Sequence, residues 1–511
     1  MISIRSGFFR PRAVKRTIAA VIAVTFSLCM LISQRQQNLE INRMIYNLKQ
    51  LSVFDSKWDP AQHIFVSSAF DIGGIESDNT TNTIRLLATT HDRGNDIVSR
   101  PPPIFCRNEF GDIVVGEWQF MNGPRPCIWK DYFLDCHFKR PSERLELVGD
   151  GAEILKVPIT PAVKKKVPLV FCVARMFYYE NWQIALTSLE LYLHHGMDLF
   201  VIPIISVIEQ LHIILKHYET LGYVRLKKGI VLPRVPEFLY DPNAKTDSLN
   251  MMPSQTECLY EYREAADFII FGDIDDVIIP RRFENLLQEV QFYHQKFPNA
   301  PSFEFMWATT QLKLHKNPQH YNVRDIVSNL HVTTIADYGK SIVIPKRLRQ
   351  GLIHFPIFDH DYAGNYTHVK LGYQDAYAVH LRESMYENNW SQMGRYNLYM
   401  NLSQYDSIQV DFMEKLSKNP VVLDAFMRLP TSKPYAAALY ECYRVTKLRR
   451  KLSEDLCMSP LECKELRTQK GPQCTVLVSD FKTVDNGLGI ILTTTRSSTL
   501  VARSRCHIQK A

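Results

Sequence analysis

The residues best suited to chemistry in this chain lie in one run, FIIFGDIDDVIIP, where Asp273, Asp275 and Asp276 follow an apolar stretch. The run DFIIFG predicts a buried strand over Asp267–Gly272. Ligands of open α/β sheets gather at the carboxyl ends of strands, which is where these acids stand. Asp273 and Asp275 are two apart and can share one side of an extended turn. Two hard oxygen donors so placed suit Mn2+ or Mg2+, and such a cation can bridge two phosphates. Two chemistries use the pattern. In a haloacid-dehalogenase-type phosphatase the strand ends in D-x-D-x-[TV]-[LVI], which DIDDVI fits, and the first Asp is the nucleophile. That motif normally occupies the first strand of its domain and needs a later DD or GDxxxD, which does not follow here. In a nucleotide-sugar transferase the paired acids hold a cation on the donor diphosphate, stabilising the leaving group.

The elements that must hold these acids alternate. Leu169–Ala174 reads as a buried strand, and helical spacing follows over Glu180–His195 with Gly196 as its stop. Met197–Ile205 is a second strand, which Pro203 keeps short. Ser206 is placed to cap a helix over Ile208–Leu221, and Gly222 ends it. YVRLKKGIVL is extended, Gln255–Ala266 is a helix candidate, and Phe303–Trp307 is a strand beyond the acids. Strands alternating with helices predict a mostly parallel, doubly wound α/β sheet. KVPITPAVKKKVP, ending at Pro168, marks a boundary, and residues 34–165 before it read as a stem and accessory region. The tail after about Ser479 is Ser/Thr-rich and basic, which predicts poor order.

The 511 residues carry 60 Lys and Arg against 53 Asp and Glu, a formal +7. Arg5, Arg10, Arg12, Lys15 and Arg16 supply five of those charges, leaving +2 elsewhere, so a nucleic-acid partner is not expected. Behind them, residues 17–33 are uncharged and would span about 25 Å as a helix. The run ends in bulky CMLIS, a poor cleavage site, so an uncleaved anchor is expected, with residues 1–16 cytosolic. All that follows would be lumenal in a type II membrane protein, and the short span favours an early secretory or Golgi membrane. Sequons start at Asn79, Asn365, Asn389 and Asn401. No C-x-x-C pair suggests zinc. Cys106, Cys127 and Cys136 form one cluster, and Cys442, Cys457, Cys463, Cys474 and Cys506 another. Disulfides are expected within each, with Cys172 and Cys258 as free core thiols.

Taken in order, VFCVARMFYYENW, LYLHHGMDLFVI, QTEC before ADFIIFGDIDDVIIP, then KSIVIP, GLIHFP and AVHLRES resemble glycosyltransferase family 92 over about Pro168–Asn401. The resemblance implies a GT-A type fold over 166–430, followed by a cysteine-containing region, 431–511. It implies a UDP-sugar donor, galactose as the transferred sugar, inversion and a glycan acceptor. Carried over by position, Asp273 and Asp275 match the metal and donor-diphosphate motif. Arg175 and Glu180 match the segment that holds the nucleotide, although ARMFYYE replaces the usual Pro-x-Phe and acid. Lys340, His354, His380 and Arg382 match downstream elements, with HLR where HYR is usual.

Read from the residues alone, His380 ends the apolar run AYAV and is a candidate third metal ligand, with His354 placed similarly after GLI. An inverting transfer needs a carboxylate to take the acceptor proton. Asp359, Asp361 and Glu383 are the leading candidates, with Glu304 and Asp337 behind them. Trp307 could meet an acceptor or fill the core. Lys346, Arg347 and Arg349 could neutralise a diphosphate or lie on a solvated loop. The rivals are a lumenal phosphatase and a catalytically silent glycan-binding membrane protein.

Overall fold

The computed structural model describes residues 62–73, 82–91, 101–121, 127–148, 154–354, 357–358, 366–383, 402–452, 457, 459–486 and 489–508. Its centre is a mixed sheet of nine strands. The spatial order along its main path is Val224–Lys228, Leu199–Ile204, Leu169–Val173, Phe268–Gly272, His331–Val343, Ser302–Gln311, Tyr377–His380 and Asp276–Ile279. The first four are mutually parallel. Leu169–Val173 is buried along its whole length, as a strand covered on both faces must be. Beyond Phe268–Gly272 the sheet turns mixed: His331–Val343 runs antiparallel to both its neighbours, while Tyr377–His380 lies parallel to Ser302–Gln311. The expected doubly wound sheet is therefore the first half only.

Helices cover this sheet at Trp182–His194, Glu209–Thr220 and Met251–Tyr262. Gly196 stops the first of these with φ +80°, and any side chain there would meet Asn285. Ser206 does not cap the second. It lies in a short strand, Ser206–Ile208, and its Oγ accepts a hydrogen bond from Tyr178 N (2.7 Å). Pro203 is tolerated because the pairing with Leu169–Val173 ends at Val201, before the missing N–H is needed.

A β-sandwich precedes the sheet in sequence. One layer contains Gln62–Gly73, Asn82–His91 and Trp129–Phe138, and the other contains Phe105–Asn108, Leu145–Val148 and Ile154–Val157. Ile64, Val66, Leu86 and Leu134 from the first layer and Leu145, Leu147 and Leu155 from the second share one core. The tail after Ser479 is not disordered. Cys474–Asp485 and Ile490–Arg503 form a long hairpin, and the second strand runs parallel to Gln62–Gly73. Composition misled there: Thr is β-branched, and its alternation with Val and Leu is a strand pattern despite its polarity.

Five disulfides pair ten cysteines. Cys106–Cys136, Cys442–Cys463 and Cys474–Cys506 fall within the expected clusters. Cys127–Cys457 instead crosses between them, and Cys172–Cys258 joins two residues expected to be free thiols. The latter pair comes together because Leu169–Val173 packs under the Met251–Tyr262 helix, a tertiary proximity that spacing does not encode. Among the described residues no helix is long and apolar enough to cross a membrane. The apolar run 17–33 and the asparagines of all four sequons lie outside them.

Candidate active site

The acids occupy the seam where the sheet changes character. The chain leaves the carboxyl end of Phe268–Gly272 and turns through Asp273–Asp275. It re-enters as Asp276–Ile279, with Asp276 opposite His380. His380 faces Thr309 on its other side. Leu381 N donates to the Asp275 carbonyl (2.8 Å), fixing the turn from outside. Lys340 arrives on the His331–Val343 strand, opposite Phe305. The preceding Gly339 lies at a bulge, where a Cβ would overlap the Phe305 carbonyl.

Asp276 is the buried hub of this seam. Its Oδ2 accepts from Lys340 Nζ (2.9 Å) and Asp273 N (3.1 Å), and its Oδ1 from His380 Nδ1 (3.0 Å) and Trp307 Nε1 (2.9 Å). Burial works against its charge, but Lys340 and His380 outweigh it and hold Asp276 well below the usual carboxylate range. Lys340, itself 2% exposed, is pushed up: burial opposes its charge, and Asp276 and Asp273 overcome that.

Asp275 is the contrast. Its Oδ1 is buried with no hydrogen-bond partner, and the nearest cation is His380 at 3.8 Å. Burial pushes its carboxyl up to about 7, despite His380. His380 is itself pushed up to about 9, because Asp275 and the hydrogen bond to Asp276 overcome its burial. Donor atoms of Asp275, Asp276 and His380 all lie within 4.8 Å of one another. Asp276 has every lone pair engaged, so the unsatisfied oxygen of the group is Asp275 Oδ1. A histidine tied through Nδ1 to a carboxylate is the arrangement that orients an imidazole toward a metal. The expected set named Asp273, whereas the structure draws Asp276 into the group. Asp273 stands at the rim, 43% exposed, 3.9 Å from both Arg175 Nη1 and Lys340 Nζ.

Two tyrosines that the sequence did not single out close the rim. Burial raises Tyr179, and the charges of Asp275 and Asp273 add to the effect. Tyr443 is raised by burial too, and its hydroxyl is hydrogen-bonded to Arg175 beside Asp273. Tyr443 lies on the Pro434–Leu452 helix, more than 250 residues from Arg175, so no local signal could find it. Arg175 sits over the Phe177 ring (4.9 Å) and is nearly buried, with its Nε unpaired.

The other expected residues scatter. Glu180 is buried and gives Oε1 to Ala436 N (2.7 Å) at the start of that helix, while burial pushes it up to about 7. Glu304 is spent on Gly339 N and His368. Glu383 is paired with Lys433 (2.7 Å) and remains 44% exposed. His354 Nδ1 donates to the Gly339 carbonyl (3.1 Å), and burial and Lys340 lower its pKa. Arg382 stacks on Tyr440. The basic segment does not meet the acids: Lys346 pairs with Glu264 on the surface, Arg347 caps carbonyls of Pro298 and Ala300, and Arg349 stacks on Phe133. Trp307 is neither plain core nor free for an acceptor through its N–H, which it gives to Asp276. Asp359 and Asp361 lie outside the described residues, as does the side chain of Asp337.

Residues 167–416, which contain the whole acid cluster, match the family model for glycosyltransferase family 92. These residues are a glycosyltransferase family 92 domain. One Caenorhabditis elegans glycosyltransferase family 92 protein is 30% identical over 216 residues, 42% of each chain. Another from the same organism is 23% identical over 361 residues, 65% of this chain and 68% of that one. The chain thus spans about two fifths of the first relative's length. Among solved structures, WbbM, a bifunctional glycosyltransferase in its apo form, aligns at 12% identity over 54% of this chain and 55% of its own. Its TM-score of 0.22 is too low to carry an argument.

Proposed function

We propose that this chain is a GT-A type, membrane-anchored glycosyltransferase. It moves a sugar, galactose by resemblance, from a UDP-sugar to a glycan hydroxyl with inversion. The observation that carries the reading is a buried, unsatisfied Asp275 oxygen 3.8 Å from the His380 ring, at the end of a central strand. Those donors fit a hard divalent cation, Mn2+ or Mg2+. When bound there, the cation supplies charge to a departing diphosphate.

The chain's own residues do the rest. Asp276 holds Lys340 and His380 in place. Lys340 neutralises the cluster from below. Arg175, its Nε unpaired and its Nη1 3.9 Å from Asp273, is the cation that would pair with diphosphate oxygens. Tyr443 steadies that guanidinium. The acceptor proton would go to one of Asp359, Asp361 and Glu383, the last of which is 44% exposed and pairs through one oxygen with Lys433.

Five disulfides support a lumenal location, because such bonds persist in oxidising compartments. The uncharged run 17–33 behind a basic tail supports a type II anchor and a Golgi membrane.

Two assays on the purified chain test the proposal. A panel of UDP-sugars with Mn2+ and a glycan mixture should give UDP release, while an aryl phosphate should give no inorganic phosphate. Phosphate release without UDP release would move the assignment to the phosphatase. Neither product would leave the silent glycan-binding protein.

A further inference from the structure

Between Val224–Lys228 and Met251–Tyr262 the chain makes a long excursion, residues 229–250, broken only by short turns at Pro242–Lys245 and Asp247–Leu249. Connections of this length in a compact domain usually serve a function. The excursion crosses the junction of the sandwich, the central sheet and the C-terminal region. Phe238 packs on His63, His91 and Trp129, with ring centroids 5.2, 4.5 and 5.9 Å away, and Lys245 pairs with Glu462 at 2.5 Å. Beside it opens a cavity of about 590 Å3, lined by Arg234, Phe238, Leu239, Tyr240, Asp241 and Lys245 among others. That volume lies within the roughly 300–1,000 Å3 of small-ligand sites, which favour such junctions. A second cavity, about 370 Å3, shares Arg234 and Asp241 and extends the cleft past Phe481. None of these residues belongs to the acid cluster.

Two features specify the ligand. The first is an aromatic platform: the Phe238 and Tyr240 rings stack at 5.2 Å with only 12° between planes, and Leu239 between them is wholly exposed. The second is the charge of the lining. Arg234 and Lys245 are matched by Asp241 and Glu462, a formal sum of zero, and Lys245 and Glu462 neutralise each other directly. Such a rim does not favour phosphate or sulfate. It offers donors and acceptors together over an aromatic plane, which suits a neutral polyhydroxy ligand with a C–H face and a hydroxyl edge.

We propose that this cleft binds neutral oligosaccharide, as a docking site for the part of the acceptor glycan remote from the reacting hydroxyl. The inference rests on the transferase reading in taking the ligand to be an acceptor.

The test is calorimetric titration of the detergent-solubilised full chain, with no nucleotide sugar and no metal, so that turnover plays no part. The probe is neutral oligosaccharide released from a desialylated glycoprotein, with a sulfated oligosaccharide as the charged control. Wild type should bind the neutral probe at least tenfold more tightly than the sulfated one. Leu239→Asp, at a fully exposed position where folding is unaffected, and Tyr240→Ala should each weaken that binding about tenfold. Unchanged affinity in both variants, no binding to wild type, or equal affinity for the sulfated control would overturn the proposal. Absence of UDP release, by contrast, would fail the transferase reading and leave the binding result standing.

Discussion

Asp275 and Asp276 are adjacent acids with opposite energetic roles, and replacing each by Asn separates them. Asp276 is a buried carboxylate that accepts four hydrogen bonds, two from cationic groups. Asp276→Asn removes the charge and leaves Lys340, 2% exposed, with only Asp273 at 3.9 Å. Breaking a buried pair by removing one partner costs about 3–5 kcal/mol. At roughly 2–4 °C per kcal/mol for a domain of this size, the melting midpoint should fall by about 6 °C or more. Asp275 runs the other way. Its pKa of about 7 lies above the ordinary value of 3.8, so burial penalises its charged form. In the unfolded chain the group ionises near pH 4, while the native state resists until about pH 7. Native stability is therefore lost as pH rises through that window, and the full penalty applies above it. Three pK units give a ceiling of about 4 kcal/mol, and partial exposure and coupling to His380 reduce this to on the order of 1–2 kcal/mol. Asp275→Asn should thus melt at or above wild type at pH 8, with no advantage at pH 4, while losing metal binding and transfer. Thermal melts in chelator at both pH values, beside UDP-release rates, make the comparison. An Asp275→Asn variant as unstable as Asp276→Asn, or one that keeps its activity, would refute the division of roles.

Asp131 provides a second pH test, away from the site. Burial, with repulsion from Asp247, pushes it up to about 7, although Thr89 donates to it. Asp131→Asn should stabilise the fold at pH 8 by up to about 4 kcal/mol and have little effect near pH 4, read from denaturation midpoints. Gly339→Ala should cost about 3 kcal/mol and most of the activity, since its Cβ overlaps the Phe305 carbonyl and shifts Lys340. Tyr443→Phe removes a hydrogen bond to the Arg175 guanidinium. It should raise the Kd for UDP about tenfold without changing the melting temperature.

Much of the central sheet was legible because its signals are local. LVFCV and FIIFG are short apolar runs between breakers, and Gly196 and Gly222 end helices where φ must be positive. The acid cluster was legible for the same reason, as strand followed by carboxylates. What could not be read was the pairing of distant segments. Asp276 became the hub because Asp276–Ile279 crosses to the far edge and meets His380, a contact across 104 residues. The two unexpected disulfides and Tyr443 are the same kind of miss. The C-terminal hairpin was missed differently, since Thr- and Ser-rich strands look like polar tails unless their period of two is counted.

The most direct measurement for the central claim is calorimetric titration of the purified chain with UDP, with and without Mn2+. UDP binding should require the cation and disappear in Asp275→Asn. Tight UDP binding that ignores both chelation and Asp275→Asn, or no UDP binding at any Mn2+ concentration, would contradict it.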